Sequence, residues 1–249
     1  EHGMRSKGSR DLLGPSTTAA VAAIAAGQDP STAGAGATTN GAAMRIAPVA
    51  IAVPPRPVDA LLEAVYALSY VTHNSGIALS GAAAIAGGVA VGVDGGDMSD
   101  ALGTALDLAE RAATMGHWIA GASISGKTRW ALRQSGGLDE SRLADFLVDV
   151  VGTSVQAQES VVAALVVADR FRERPYDGLC FAARLGGDTD TIAAMAGAVL
   201  GAVHGPTAFP TDVVSKVTAV SGLDLEPVLT GLLDLRATAR DDATAPTGH

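Results

Sequence analysis

The chain has 249 residues, 48% hydrophobic and 17% charged, which excludes a disordered polymer and supplies apolar mass for one large core. Its net charge of −9, with no run of Lys and Arg, excludes the basic face of a nucleic-acid binder. Cys180 is the only cysteine, so no disulfide can close within the chain, and aromatics at 4% leave a core of small side chains.

In chain order, no charged segment followed by an apolar one opens the sequence, so no secretory signal is read and a cytoplasmic protein is expected. STTAAVAAIAA predicts a helix over 16–26, with Ser16 as its N-cap and Gly27 as its stop. QDPSTAGAGATTNGAAMRIAPV (28–49) is expected as irregular backbone, a long loop of the kind that carries function. PVDALLEAVYALSY predicts a helix over 57–70 with Pro57 in its first turn. Apolar spacing of three and four predicts further helices over 76–92, 99–115, 139–151, 156–172, 176–184, 190–204, 211–220 and 227–238. The tail 240–249 is polar and is expected to fray. The longest apolar stretches, such as IAAMAGAVLGAV (192–203), are read as too short to cross a bilayer. No stretch alternates over a strand's length, so the fold class is all-α, one domain over 1–249.

Three stretches bear on chemistry. Cys180, in GLCFAARL, is read as a buried small hydrophobe rather than a nucleophile. RLGGDTDTIAAM (184–195) places Asp188, Asp190 and Thr191 behind Gly186 and Gly187 at the mouth of an apolar helix. One aspartate there would be a cap; two carboxylates and a hydroxyl exceed what a cap needs. These hard oxygen donors suit Mg²⁺, Mn²⁺ or Ca²⁺ rather than zinc, and no Glu completes an EF-hand loop. The helix behind them carries Ala193, Gly197, Gly201 and Gly205 four apart, a row expected to admit a close-packed partner helix. GASISGKT (121–128) fits the Walker A spacing through Gly121, Gly126, Lys127 and Thr128, but no βαβ pattern surrounds it. A P-loop nucleotide binder is therefore only the alternative reading.

GGDTDTIAAMAGAVLGAVHG (186–205) resembles the C-terminal signature of the ADP-ribosylglycohydrolase family, which includes the dinitrogen-reductase-activating and ADP-ribosyl-acceptor hydrolases. LLGPSTTAAVAAI (12–24), TTNGAAMRIAPVAI (38–51), VTHNSGIALSGA (71–82) and VGTSVQAQESVVAAL (151–165) resemble further blocks in family order, over about residues 12–206. The resemblance implies a compact orthogonal multi-helix domain around a cleft for ADP-ribose. It implies a pair of Mg²⁺ ions, with Mn²⁺ able to substitute, for which Asp188, Asp190 and Thr191 are ligands. By the same resemblance Asn40, Gly41 and Ala42 approach the diphosphate, and His73 lies near the nucleotide. Gly152, Thr153, Ser154 and Val155 flank the adenine, with Gly186 and Gly187 beside the metals. Taken alone, Asn40-Gly41 could be an ordinary turn, His73 a core histidine and Gly152–Val155 an interhelical turn, with Ala43, Met44 and Arg45 as packing residues.

The implied activity is Mg²⁺-dependent hydrolysis of the N- or O-glycosidic bond joining ADP-ribose to a modified protein side chain or small conjugate. No nucleic-acid or membrane partner is expected. The family's Gly-x-x-x-Gly-Asp-Ala-x-Gly and Thr-Asp-Asp-Thr motifs, which carry the other metal ligands, do not occur here; Asp241-Asp242 lacks the flanking threonines. The expectation is that an N-terminal segment of the domain is missing, which would leave this chain alone poorly active and its acid and base unassigned. The alternative is a non-catalytic member that keeps the ADP-ribose pocket.

Overall fold

The structure, a computed structural model, describes residues 13–244, with side chains to residue 240. Among these residues there are helices and turns and no strand; two isolated bridges pair Thr39 with Gln156 and Ser75 with His117. The helices are α1 Pro15–Ala25, α2 Pro30–Ala33, α3 Ala47–Ala52, α4 Val58–Ser69, α5 Gly76–Val93, α6 Met98–Ala112 and α7 Ile124–Ser135. They continue with α8 Glu140–Phe146, α9 Ala157–Arg170, α10 Pro175–Ala182, α11 Thr189–His204, α12 Thr211–Ser221 and α13 Glu226–Thr244. Leu147–Val151 extends α8 as a π turn, and Ala43–Arg45 and Pro206–Ala208 are 3₁₀ turns.

The expected all-α fold is the observed one, with several corrections of detail. Pro15, with its fixed φ, takes the first helical position of α1, so the cap falls on Gly14 and Ser16 lies inside the helix. The 28–49 loop is partly ordered: Asp29 caps the single turn of α2 through the Ser31 N–H at 2.7 Å, and α3 starts at Ala47. α13 runs to Thr244, past the expected fraying point at 240; residues 245–249 lie outside the described residues. Cys180 is half-buried rather than buried.

α5 is the axis of the core. From Gly76 to Ala90 every residue is buried, and α6, α9, α11, α3 and α4 surround it. At 18 residues it is long and apolar enough to cross a membrane, contrary to the expectation that no stretch was, but 94% of it is buried inside the protein. Small residues set the packing distance. A Cβ on Gly92 would lie 2.7 Å from the backbone carbon of Ala202, so α5 and α11 meet backbone to backbone at that point. The Ala193–Gly205 row faces elsewhere: Gly197 receives Leu179 of α10, Gly201 lies near Phe209, and Gly205, at φ +73°, ends the helix. The row thus admits a partner helix at Gly197, while the backbone-to-backbone contact with α5 is made by a different face of α11.

α13 is pinned by one side chain. Arg236 is 3% exposed and reaches the open C-terminal ends of two helices. Its Nη1 donates to the carbonyls of Ala50 (2.9 Å), Ile51 (3.1 Å) and Val53 (2.9 Å), at the end of α3. Its Nη2 donates to Ala90 (2.8 Å) of α5, and its Nε to Asp94 (2.8 Å). The Ala50, Ile51 and Val53 carbonyls lie at a helix end where Pro54 and Pro55 offer no N–H, so the guanidinium closes them, while Ala90 also accepts the Asp94 N–H at 3.3 Å.

Candidate functional site

A cleft of about 510 Å³ opens between the start of α1, the turn 39–45, His73, Val155 and the mouth of α11. A small organic ligand needs a volume of that order. Its wall includes Asp188, Asp190 and Thr191 at one helix mouth. The mouth is built by Gly186 (φ +89°) and Gly187 (φ +76°), values that favour glycine. A Cβ on Gly187 would fall 2.3 Å from the Thr153 carbonyl oxygen, so the 153 and 187 backbones touch. That contact includes a hydrogen bond, from the Asp188 N–H to the Thr153 carbonyl at 2.7 Å.

Asp188 occupies the N-cap position of α11 but makes no capping bond. Its Oδ2 accepts from Asn40 Nδ2 at 2.6 Å, and its Oδ1 accepts from Thr191 Oγ1 at 3.1 Å. Asn40 is 5% exposed and donates also to Ser160 Oγ on α9 (2.8 Å). Its own N–H donates to the Val155 carbonyl at 2.9 Å. Asn40 is therefore a bridge between α9 and α11, more than the ordinary turn residue it could have been. Asp190 is exposed on the first turn of α11. The helix dipole favours both carboxylates there.

Beside the mouth of α11 the cleft wall holds a hydrogen-bonded chain. Arg45 Nη2 donates to Thr72 Oγ1 (2.7 Å), which lies 2.7 Å from His73 Nδ1. His73 Nε2 lies 3.1 Å from Thr39 Oγ1, itself 2.7 Å from Ser16 Oγ. Arginine can only donate, and one direction leaves no hydrogen of Arg45, Thr72 or His73 in this chain unused: Thr72 donates to Nδ1, and Nε2–H donates to Thr39. His73 is then the neutral Nε2–H tautomer. Burial, and next the Arg45 charge, agree by lowering its pKa from 6.5 to about 4. Gly41 lets the turn lie on the ring, since a Cβ there would be 2.8 Å from Nε2. Burial likewise lowers Arg45 from its ordinary value.

Of the residues singled out by sequence, Asn40, Gly41, His73, Val155, Asp188, Asp190 and Thr191 come together on the cleft wall. Ala42 is fully buried behind it. Gly152, Thr153, Ser154, Gly186 and Gly187 form the backbone behind Asp188 rather than lining the cleft. Met44 and Arg45, read as packing residues, are exposed and line the cleft. Thr39, Thr17 and Ser160 went unread; no local pattern marks a hydroxyl that acts across more than 100 residues, as Ser160 does on Asn40 at a separation of 120.

The Walker-like stretch is not a P-loop. No strand precedes it, and Ser123 instead caps α7, putting Gly126, Lys127 and Thr128 inside the first turns of a helix whose Thr128 is fully buried. A P-loop needs those amides free in a loop between strand and helix, so the nucleotide-binding alternative is withdrawn.

Similarity to known proteins agrees with this geometry. The family profile "ADP-ribosylglycohydrolase" matches residues 1–242, beyond the 12–206 span of the resembling blocks. The uncharacterized protein YegU of Escherichia coli (strain K12) is 32% identical over 228 residues, which is 91% of this chain and 68% of YegU. A solved structure titled ADP-ribosylglycohydrolase-related protein complex superposes with a TM-score of 0.58 at 26% identity, over 91% of this chain and 69% of that one. With its helical fold, its cleft and its Asp-Thr-Asp-Thr helix mouth, the chain belongs to the ADP-ribosylglycohydrolase family, a family of hydrolases acting on ADP-ribose conjugates.

Proposed function

We propose that this protein hydrolyses the N- or O-glycosidic bond between ADP-ribose and a protein side chain or small conjugate, with Mg²⁺ held by Asp188, Asp190 and Thr191. One observation carries the reading: Asp188 sits where a cap belongs, yet its carboxylate turns to the cleft and is oriented there by Asn40 and Thr191. The donor set suits the ion. Mg²⁺ takes one or two carboxylates and keeps several waters, and two carboxylates with a hydroxyl at one cleft end match that need; Mn²⁺ would accept the same donors. When bound, the metal supplies Lewis acidity that polarises a sugar hydroxyl or a water.

The chain's own residues do the orienting. Asn40 fixes one Asp188 oxygen while its backbone is held by Val155, so the carboxylate is pre-aligned before any ligand arrives. Among the described residues Arg45 is the cation on the cleft wall and suits the anionic diphosphate of an ADP-ribose group. The test is release of ADP-ribose from an ADP-ribosylated acceptor, with Mg²⁺ or with EDTA, by the protein and by Asp188→Asn. The rate is expected to fall about a hundredfold or more on metal removal and in the variant. Equal rates in all four would refute the assignment.

A second reading, an ADP-ribose binder without turnover, is favoured by one feature. Asp188 and Asp190 are the only carboxylates lining the cleft among the described residues, and both are assigned to metal. Free ADP-ribose at about 100 times its dissociation constant would then stabilise the fold by roughly 2.7 kcal/mol with no product released.

A further inference from the structure

With the Walker-like stretch folded into α7, Lys127 has no phosphate to meet, and its actual partner lies beside the cleft. Its Nζ donates to the Val151 carbonyl at 2.6 Å, the last residue of the π turn. From the other side, Glu159 in the first turn of α9 accepts the Ser154 N–H at 3.1 Å. Gly152 turns between them at φ +89°, and a Cβ there would lie 2.5 Å from the Glu159 carboxylate. Only a glycine lets that carboxylate lie against the loop. Burial lowers the Lys127 ammonium from its ordinary value and the Glu159 charge opposes that, consistent with two groups facing one another across the loop.

The same short loop then turns its other carbonyls to the candidate site. Thr153 accepts the Asp188 N–H at 2.7 Å, and Val155 accepts the Asn40 N–H at 2.9 Å. Asn40 Nδ2 donates to Asp188 Oδ2 at 2.6 Å and closes the circuit. The two residues that meet on the cleft wall are therefore each hung, by backbone, from one loop of four residues. A charged side chain holds it at two points, Lys127 at the Val151 carbonyl just before it and Glu159 at the Ser154 N–H within it. Charge-assisted bonds are stronger than neutral ones, and at the partly buried Lys127–Val151 bond water is a poor replacement, whereas the Glu159–Ser154 bond is exposed and the weaker of the two.

We propose that Lys127 and Glu159 are positioning residues of this site: they clamp the Gly152–Val155 loop, and through it set the separation of Asn40 and Asp188. Neither touches the cleft. The proposal rests on the reading that Asp188 holds a metal, but its primary test does not.

The test measures amide exchange residue by residue, by NMR, together with Mn²⁺ titration, on the full chain and on Lys127→Met, Lys127→Arg and Glu159→Gln. Arg129→Met, an exposed cation of the same helix paired with Glu110 at 3.3 Å, is the control. In Lys127→Met the Asp188 and Asn40 amides are expected to exchange roughly tenfold faster or more, the size of one lost charge-assisted bond, with α5 amides unchanged. Glu159→Gln should do the same more weakly, Lys127→Arg should restore protection, and Mn²⁺ affinity should fall several-fold only where exchange has risen. Unchanged exchange at both amides in Lys127→Met overturns the proposal. So does an acceleration that is uniform through α5, which would mark a general loss of stability. If the unmodified protein binds no Mn²⁺, the metal reading fails, while the exchange data still decide whether Lys127 and Glu159 act on the loop.

Discussion

Acidification should destabilise this protein through His73, and the size follows from its burial. The ring is 1% exposed, and its pKa falls from 6.5 to about 4 on folding. Because the folded value is the lower one, the unfolded chain binds more protons at any pH between the two. Stability is therefore full above pH 6.5, declines as the pH falls through that value, and levels off below about 4. With these two values, the loss attributable to His73 is about 2 kcal/mol at pH 5 and about 3 kcal/mol at pH 4. Carboxylates titrate over part of the same range, so the measurement must be a difference. Urea unfolding at pH 7.5, 6, 5 and 4.5 would be followed for the protein and for His73→Gln, whose amide cannot charge. The variant starts lower, having lost part of the Thr39 and Thr72 bonding, and the gap should narrow by about 2 kcal/mol between pH 7.5 and 5. A gap independent of pH would refute the neutral, buried assignment and with it the direction given to the Arg45–Thr72–His73–Thr39 chain.

Two further substitutions probe the frame of the site. Gly187→Ala should cost about 2 kcal/mol or more in urea unfolding, since its Cβ would stand 2.3 Å from the Thr153 oxygen at φ +76°; unchanged stability would mean that the 153 and 187 backbones are not in contact. Arg236→Met should cost about 3 kcal/mol, because it strands the carbonyls at the end of α3 and leaves Asp94 without its buried partner; a loss under about 1 kcal/mol would show that α13 is held by other contacts.

What could be read from the sequence is what periodicity and adjacency encode. α5, α9 and α11 announce themselves by unbroken small apolar runs, and α6 by its apolar spacing. The Asp188–Thr191 group was legible because its donors are neighbours in the chain behind two glycines. α7 escaped because ISGKTRWALRQS mixes charges and hydroxyls on a helix whose buried face is only Ile124, Ser125, Thr128, Ala131 and Ser135. A buried face of serine, threonine and alanine has no apolar period to find. α3 escaped because a six-residue helix with Pro48 at its start sits below the length at which a period shows. The Asn40–Asp188 contact spans 148 residues. Nothing local distinguishes it, since it arises only when α9 and α11 pack side by side and carry the 38–41 segment between them.

The neutrality of His73 bears on how the cleft could sort a ligand end for end. Had the imidazole been charged, this part of the wall would hold two cations a few bonds apart and the buried ring would need a counter-charge that the turn does not supply. Kept neutral, it passes the Arg45 donor direction through hydroxyls to Ser16, and among the described residues Arg45 alone brings positive charge to the cleft wall. Asp188 and Asp190 confine negative charge to the α11 mouth, where the helix dipole and the Asn40 amide make it tolerable. Among the described residues the cleft wall thus carries one cation and two carboxylates not paired with it, which favours a ligand whose anionic part and hydroxyl-bearing part are distinct. It disfavours one that is anionic throughout, because such a ligand would have to place charge against Asp188 and Asp190 unless a cation lay between. Discrimination between a sugar-terminated diphosphate and a triphosphate would then come from the unlike charges of the cleft wall, without any side chain dedicated to rejecting the triphosphate.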